Sequence, residues 1–322
     1  MRGRREASER VAIIAHGRLD IRRLAILMAH AGAATLLFPS LSAAQKKSIP
    51  ARDCSAGVSL AMAAATGTQG GLLRLYVRSI TAIRDLKGEW VGGAIPFWPD
   101  AKIKNLEHGL LGIDLERAPG KYNFTIETAL VNGNTAKCTV EVTVKAGNFA
   151  VEKLTVAKEY AEPGPEDVAR ADKEQQRLRE IFATVTPEKL WQGRFRLPLV
   201  GTHPAKNFGR RRVLNGNPGS PHTGMDFPAA AGTPIHAAQA GRVVLAEDLF
   251  FSGNTVVVDH GLGIYTFYGH MEKIDVAVGD AVKAGTVLGL VGATGRVTGP
   301  HLHWALKVDT ARVNPLQIVG VQ

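Results

Sequence analysis

The sequence predicts a mainly β protein, with an immunoglobulin-like β-sandwich first, then a short helical connector and an antiparallel β domain. Three observations predict this fold class. Short segments of alternating apolar and polar residues recur before residue 150, a charged helical period occupies residues 161–191, and glycine-rich strand-like segments fill the remainder. The 322 residues, 45% of them hydrophobic, suffice for two domains.

The N-terminal residues have the features of a secretory signal. An arginine-rich stretch precedes an apolar run at residues 24–38, and small residues follow Pro39 up to Gln45. The run is shorter than the ~20 residues that a spanning helix needs. We expect residues 1–44 to be a signal peptide, an uncleaved anchor being the alternative. The mature chain would then be secreted across the inner membrane and have no stable membrane span.

Residues 45–158 are predicted to form the β-sandwich. Residues 73–77, 122–130 and 138–144 alternate apolar and polar positions, and turn signals lie between them. Cys54 and Cys138 are the two cysteines of the chain. In an oxidising compartment such a pair most simply forms one disulfide, two buried free thiols being the alternative. No group of catalytic residue types occurs here, so the role of this region stays open.

Residues 159–194 are predicted to be a helical linker. Pro165 followed by Glu166 and Asp167 is typical of a first helical turn, and apolar residues from Val168 to Phe182 fall roughly on one face. Residues 195–322 then return to glycine-rich strand and turn segments. We expect them to form a compact, antiparallel and partly barrel-like domain of the barrel-sandwich type.

The charge balance favours an anionic partner. The chain carries a formal net charge of +10, of which the seven arginines and three acidic residues before Gln45 account for +4. No basic stripe with interleaved aromatic residues is visible, so we expect no nucleic-acid partner.

Histidines are crowded in the last domain, since seven of the ten lie between residues 203 and 303. His301 and His303 are two residues apart in a predicted strand, so both side chains point to one face and could serve one metal. Two surface histidines without a function are the alternative. His270, at the end of another strand-like run, would by itself more commonly be a core histidine.

His222 and Asp226 add ligand types that zinc accepts. Prolines and glycines around them argue against a helix, so we expect His222 in a loop and Asp226 on a strand. With one member of the 301/303 pair they would form a two-histidine, one-aspartate set that leaves a fourth position open, as catalytic zinc sites do. A surface ion pair is the alternative for His222 and Asp226 alone.

Together these motifs resemble the M23 family (LytM-type, lysostaphin-like) of zinc endopeptidases over residues 195–316. The matching elements are His222-x-x-x-Asp226, Tyr268-Gly-His270 and Gly299-Pro-His301-Leu-His303. The resemblance implies one Zn²⁺ held by His222, Asp226 and His303, with His270 and His301 as catalytic histidines. It also implies peptidoglycan peptides as substrate, and therefore action in the periplasm, in the cell wall or outside the cell.

Two other functions remain as alternatives. A non-catalytic wall-binding or amidase-activating protein could use the same fold. A biotinyl or lipoyl carrier is suggested by Val278-Gly-Asp280 with Gly285, but the carrier lysine with flanking methionines is absent. The sequence leaves open which bond is cut, a D-alanine crosslink to a diamino acid or a glycine bridge. It also leaves open which of His270 and His301 is the base, whether Arg212 and Asn215 line the substrate groove, and the oligomeric state.

Overall fold

The computed structural model describes residues 51–322 of the chain. Strands dominate these residues, and one long helix separates two groups of strands, which confirms the mainly β fold class. The expected signal peptide lies outside the described residues. Within them, no helix is both long enough and apolar enough to cross a membrane.

The strands before residue 146 form two five-stranded sheets. The strands are β1 (Arg52–Ser55), β2 (Val58–Met62), β3 (Thr66–Thr68), β4 (Leu72–Ser79), β5 (Ile83–Trp90), β6 (Gly93–Ile95), β7 (Phe97–Pro99), β8 (Leu106–Gly112), β9 (Gly120–Leu130) and β10 (Thr135–Lys145). One sheet has the order β1-β2-β4-β8-β7, and the other has the order β3-β10-β9-β5-β6. Neighbouring strands are antiparallel except for the parallel pair β3 and β10.

These two sheets enclose a shared apolar core. Val77 of the first sheet and Phe124 and Val142 of the second are completely buried in it, as the alternating pattern requires. Cys54 on β1 is bonded to Cys138 on β10, with the Cα atoms 5.1 Å apart, so the predicted disulfide is confirmed and joins the sheets. The immunoglobulin-like topology stays a prediction.

The connector contains strand β11 (Val151–Leu154) and helices α1 (Lys158–Ala161) and α2 (Pro165–Ala183). Pro165 suits the first position of α2 because its missing N–H would have no partner within the helix there. Leu178 and Phe182 on one face of α2 are buried against the apolar side chains of three strands of the large sheet described next. The linker is therefore held on the sheet through an apolar helix face.

The remaining strands are β12 (Arg211–Leu214), β13 (Asn217–Pro218), β14 (Gly224–Pro228), β15 (Pro234–His236), β16 (Gly241–Leu249), β17 (Gly253–Asp259), β18 (Ile264–Ile274), β19 (Ala281–Val282), β20 (Val287–Val291), β21 (His301–Val308) and β22 (Ala311–Val313), followed by a 3₁₀ turn at Pro315–Gln317. Nine of them form one sheet whose main path is β14-β21-β18-β17-β16-β19. The strands β11, β12 and β13 form a small separate sheet.

The large sheet is antiparallel, as expected, and it does not close into a barrel. β20 pairs with the far end of β18 and with β15, so this pair branches from the sheet instead of joining its edge strands β14 and β19. The described residues form one compact unit. Trp98 of the first region meets Trp191 edge-on, with ring centroids 5.1 Å apart. The domain boundaries at residues 158 and 194 stay predictions.

Candidate active site

Three adjacent strands of the large sheet bring distant site residues together. β14 and β21 are antiparallel, with Asp226 directly opposite His303. On the other side of β21, Gly269 of β18 lies opposite His303, so His270 reaches the same place from a third strand. His301 shares the face of His303 because side chains two positions apart on a strand point the same way. The pairing register therefore places four predicted site residues side by side.

His222 enters the site from the loop before β14. Its backbone N–H donates to the carbonyl of Arg210 at 2.9 Å, and the side chain is buried, with 1% of the residue exposed. The Nδ1 atom lies 3.0 Å from the carbonyl oxygen of Asn207. A carbonyl oxygen only accepts, so Nδ1 carries a proton, and this bond turns Nε2 towards Asp226.

Three potential ligand atoms converge on one point. His222 Nε2 lies 3.0 Å from Asp226 Oδ1 and 2.9 Å from His303 Nδ1, which is itself 2.9 Å from Asp226 Oδ1. Two imidazole nitrogens and one carboxylate oxygen form a donor set that suits a divalent cation such as zinc. A Cβ atom at Gly224 would lie 2.6 Å from His303 Nε2, so the place of this ring depends on the glycine. The residues present fit a metal held by three protein ligands.

His270 and His301 lie beside this triad, with their ring centroids 4.8 Å apart. His301 Nε2 is 3.7 Å from Asp226 Oδ1. His270 Nδ1 donates to the carbonyl of Thr294 at 2.9 Å, and His301 Nδ1 donates to the carbonyl of Gly299 at 2.8 Å. Because Nδ1 of each ring donates to a carbonyl, Nε2 is the atom left to accept a proton. His270 also has a φ of +62°, an uncommon conformation for a residue other than glycine.

Burial sets the charge of these groups. It lowers the pKa of His270 to about 3 and the pKa of His303 to about 4, so both rings are neutral near pH 7. Burial also raises the pKa of Asp226, but hydrogen bonds with His222 and His303 outweigh it and hold this pKa well below its usual range. The site thus combines neutral imidazoles with an ionised carboxylate, which is the protonation state that metal binding requires.

Two residues without an assigned role in the sequence analysis hold the site residues in place. Asn207 donates from Nδ2 to Asp226 Oδ2 at 2.8 Å and accepts the Asp226 backbone N–H at 3.1 Å. Thr294 accepts from His270 through its carbonyl, and its hydroxyl donates to the carbonyl of Met271 at 2.8 Å. Thr294 lies in a glycine-flanked turn segment, Gly292-x-Thr294-Gly295, whereas no sequence pattern around Asn207 points to a role.

Other candidate residues lie outside the triad. His260 is completely buried, and its two ring nitrogens bond the carbonyl of Ala240 and the hydroxyl of Thr266, both at 2.7 Å, so its role is structural. The side chain of Asn215 bonds the main chain of Val156 through both its oxygen and its nitrogen. Arg212, in contrast, comes within 4.0 Å of Asp226 Oδ2.

Comparison with known proteins places this site in a family. The model of peptidase family M23 matches residues 220–315. A DD-carboxypeptidase/endopeptidase, Mpg, from Neisseria meningitidis is 37% identical over 121 residues, which are 38% of this chain and 28% of that protein. The peptidoglycan DD-endopeptidase ShyA from Vibrio cholerae is 44% identical over 98 residues, which are 30% of this chain and 23% of that protein. The chain thus spans less than a third of the length of these relatives.

A solved structure extends the likeness beyond the site. The crystal structure of an M23 peptidase from Pseudomonas aeruginosa aligns with a TM-score of 0.61 at 29% identity, covering 79% of this chain and 96% of that one. Its likeness therefore includes part of the first β region as well as the large sheet. Residues 220–315 of this chain form a domain of peptidase family M23.

Proposed function

We propose that this protein is a zinc-dependent endopeptidase that hydrolyses peptide bonds in the stem or crosslink peptides of bacterial peptidoglycan. The observation that carries the proposal is the convergence of His222, Asp226 and His303 on one point, with two further histidines beside them. The relatives support the substrate class, because their names describe peptidoglycan DD-endopeptidase and carboxypeptidase activities. Such a substrate also agrees with secretion to the periplasm or the cell wall.

In this proposal His222, Asp226 and His303 hold one Zn²⁺. The bound ion would polarise the scissile carbonyl and make the attacking water more acidic. Asn207 fixes two of the ligands, since its carbonyl orients the His222 ring and its amide holds the Asp226 carboxylate. The ligand atoms are therefore aimed before the metal binds, which reduces the reorganisation that binding requires.

His270 and His301 move the protons. One of them accepts the proton of the attacking water at Nε2, because Nδ1 is already committed to a backbone carbonyl in each ring. Burial keeps His270 neutral and so able to act as an acceptor. The other ring donates a hydrogen bond to the oxyanion of the tetrahedral intermediate once it carries a proton at Nε2. Both rings face the cluster, so the geometry allows either division of roles.

Digestion of purified peptidoglycan tests the proposal. Mass analysis of the muropeptides should show crosslinked species converted into uncrosslinked ones. Protein that has been treated with a chelator should leave the crosslinked species intact. Restoring Zn²⁺ should restore the conversion. If crosslinked muropeptides survive with the zinc-loaded protein, while the protein still binds sacculi or activates an amidase, the non-catalytic alternative holds.

A further inference from the structure

A β-bulge lies where His270 enters the candidate active site. Val256 of β17 pairs with Tyr268 of β18. The next pair along this ladder joins Asn254 to Met271, so a single residue of β17 faces two residues of β18. His270 is one of these two, and its φ of +62° lies in the left-handed region that residues other than glycine seldom adopt. Such a conformation persists only where the surrounding structure enforces it.

The side chain of Asn254 holds the end of this bulge. Its Nδ2 atom donates to the carbonyl of Met271 at 3.1 Å and to the carbonyl of Glu272 at 3.2 Å. A side-chain amide carries two donor hydrogens, so it can serve both carbonyls at once. Met271 and Glu272 follow His270 directly in the chain. The amide of Asn254 therefore fixes the main chain at the point where it leaves the bulge.

The main chain of Asn254 is connected to the His270 ring through Thr294. The Asn254 N–H donates to the Thr294 hydroxyl at 3.0 Å, and this hydroxyl donates to the carbonyl of Met271 at 2.8 Å. The carbonyl of Thr294 accepts from His270 Nδ1 at 2.9 Å. The hydroxyl thus uses its donor and an acceptor position together. Asn254 is therefore bonded both to the segment after His270 and to the residue whose carbonyl fixes the tautomer of His270.

Close packing keeps the Thr294 segment against the turn before Asn254. A Cβ atom at Gly253 would lie 2.2 Å from Thr294 Oγ1, and a Cβ atom at Gly295 would lie 2.4 Å from the Gly253 nitrogen. Both glycines have a positive φ, +60° and +72°, which residues with a Cβ atom rarely adopt. The two segments therefore meet main chain to main chain. A shift of either one moves the carbonyl that accepts from the His270 ring.

We infer that Asn254 is a positioning residue that holds His270 in the active site. Its side chain supports the bulge, and its main chain supports, through the Thr294 hydroxyl, the carbonyl that leaves Nε2 of His270 unprotonated. This inference rests on the proposed function, in which His270 acts through Nε2. Loss of either support leaves the imidazole present but displaces it, and a displacement of ~1 Å at a catalytic group can lower the rate roughly 100-fold.

Kinetics on a purified crosslinked muropeptide dimer test the inference. Asn254→Leu removes the amide at similar volume, and Thr294→Val removes the hydroxyl at similar shape. Each should lower kcat roughly 10- to 100-fold and leave KM nearly unchanged, because a catalytic group moves while the substrate contacts stay. Thr294→Ser keeps the hydroxyl and should keep a kcat close to the wild-type value. Thr233→Val is the matched control, since that hydroxyl donates to the carbonyl of Ala230 within its own turn.

The tautomer of His270 gives a second measurement that needs neither zinc nor turnover. In the chelator-treated protein at pH ~7, the ¹⁵N chemical shifts of the imidazole distinguish a protonated nitrogen from an unprotonated one. Wild-type His270 should carry its proton on Nδ1. Asn254→Leu and Thr294→Val should each add a population with the proton on Nε2. Thr294→Ser and the control Thr233→Val should keep the wild-type spectrum of this ring.

The outcomes separate the two proposals. If Asn254→Leu and Thr294→Val keep the wild-type kcat and tautomer, or if Thr294→Ser loses as much activity as Thr294→Val, the positioning role is wrong and the hydrolase proposal stands. If the zinc-loaded wild-type protein leaves the crosslinked dimer uncut, the hydrolase proposal fails. The tautomer measurement then decides separately whether Asn254 and Thr294 hold the His270 ring.

Discussion

The first β region and the large sheet differ in what they bury. Among residues 51–150, the buried polar side chains are Ser79 and Thr128. After residue 194 there are eight, namely Asn207, His222, Gln239, Thr255, Asp259, His260, Thr266 and His270. Burying such groups costs free energy unless each is bonded, so an interior of this kind is retained where its chemistry is used. The contrast agrees with the proposal that the chemistry lies in the large sheet, whereas the first region has an apolar core and a disulfide.

A histidine–aspartate pair in the first region sharpens the contrast. His108 Nε2 lies 2.7 Å from Asp100 Oδ2, closer than any such contact in the candidate site. Within residues 51–322, however, the one group of three potential ligands is His222, Asp226 and His303. A short contact between two residues is therefore a poor marker of a metal site, and the third converging ligand is the informative feature.

The largest expected effect comes from removing the charge of the candidate ligand Asp226, and the matched control removes the charge of Asp100 in the first region. Asp226→Asn should reduce wall hydrolysis more than about 100-fold, because even the outer partners of metal ligands are worth ~10–100-fold. Asp100→Asn, in the pair with His108, should leave hydrolysis and bound zinc unchanged. The measurement is muropeptide release together with zinc content per chain. Full activity of Asp226→Asn would contradict the ligand assignment.

Removing the disulfide should lower the stability of the fold and leave the hydrolytic activity of the folded protein unchanged. The bond between Cys54 and Cys138 closes a loop with a sequence separation of 84 residues. The double change Cys54→Ser and Cys138→Ser should lower the free energy of unfolding by about 4 kcal/mol, mainly through the entropy of the unfolded chain. Urea denaturation measures this loss, and hydrolysis per folded molecule should match the wild-type value. An equal midpoint in both proteins would show that the bridge contributes nothing.

Asn207→Ala should weaken metal binding without removing a ligand. The change deletes the amide that holds Asp226, so we expect zinc affinity to fall ~10–100-fold. Competition with a chromophoric chelator measures the affinity directly. Asn215→Ala is the control, since that side chain bonds the main chain of Val156 and not a candidate ligand. Equal affinities in the two variants would assign no orienting role to Asn207.

The smallest effect concerns the contact between the two regions. Asp114 accepts from Arg312 at 2.6 and 2.9 Å, and although burial raises its pKa most, these bonds lower the pKa from 3.8 to about 2. A pKa depressed in the folded state stabilises the fold above pH ~4, and this contribution is lost as the pH falls towards 2. The loss should be about 2 kcal/mol in denaturation curves. Asp114→Asn should flatten this dependence, whereas Asp85→Asn at an exposed pair should preserve it.

Much of the architecture could be predicted from short-range patterns. The period-two alternation in residues 122–130 and 138–144 gave strands β9 and β10, and the start of α2 followed from Pro165 and the acids after it. Closure of the last domain could not be predicted in this way. It depends on where β20 pairs, which is a contact between residues distant in sequence.

The sequence by itself determined which residue types could carry the chemistry. The spacing of His301 and His303 places both rings on one face of a strand, and the placing of Cys54 and Cys138 in an early and a late segment made one disulfide the simplest pairing. The first inference depends only on neighbouring residues, and the second depends only on the number of cysteines and their places in the chain. Both could therefore be made from the sequence without the fold.

Only the tertiary structure decided how these residues meet. The register of β14 against β21 puts Asp226 opposite His303, and the carbonyl of Asn207 selects the tautomer of His222. Directional bonds and charge repulsion act over a few ångströms in space, whatever the separation along the chain. For that reason the candidate ligand residue types could be identified from the sequence, whereas their orientation required the fold.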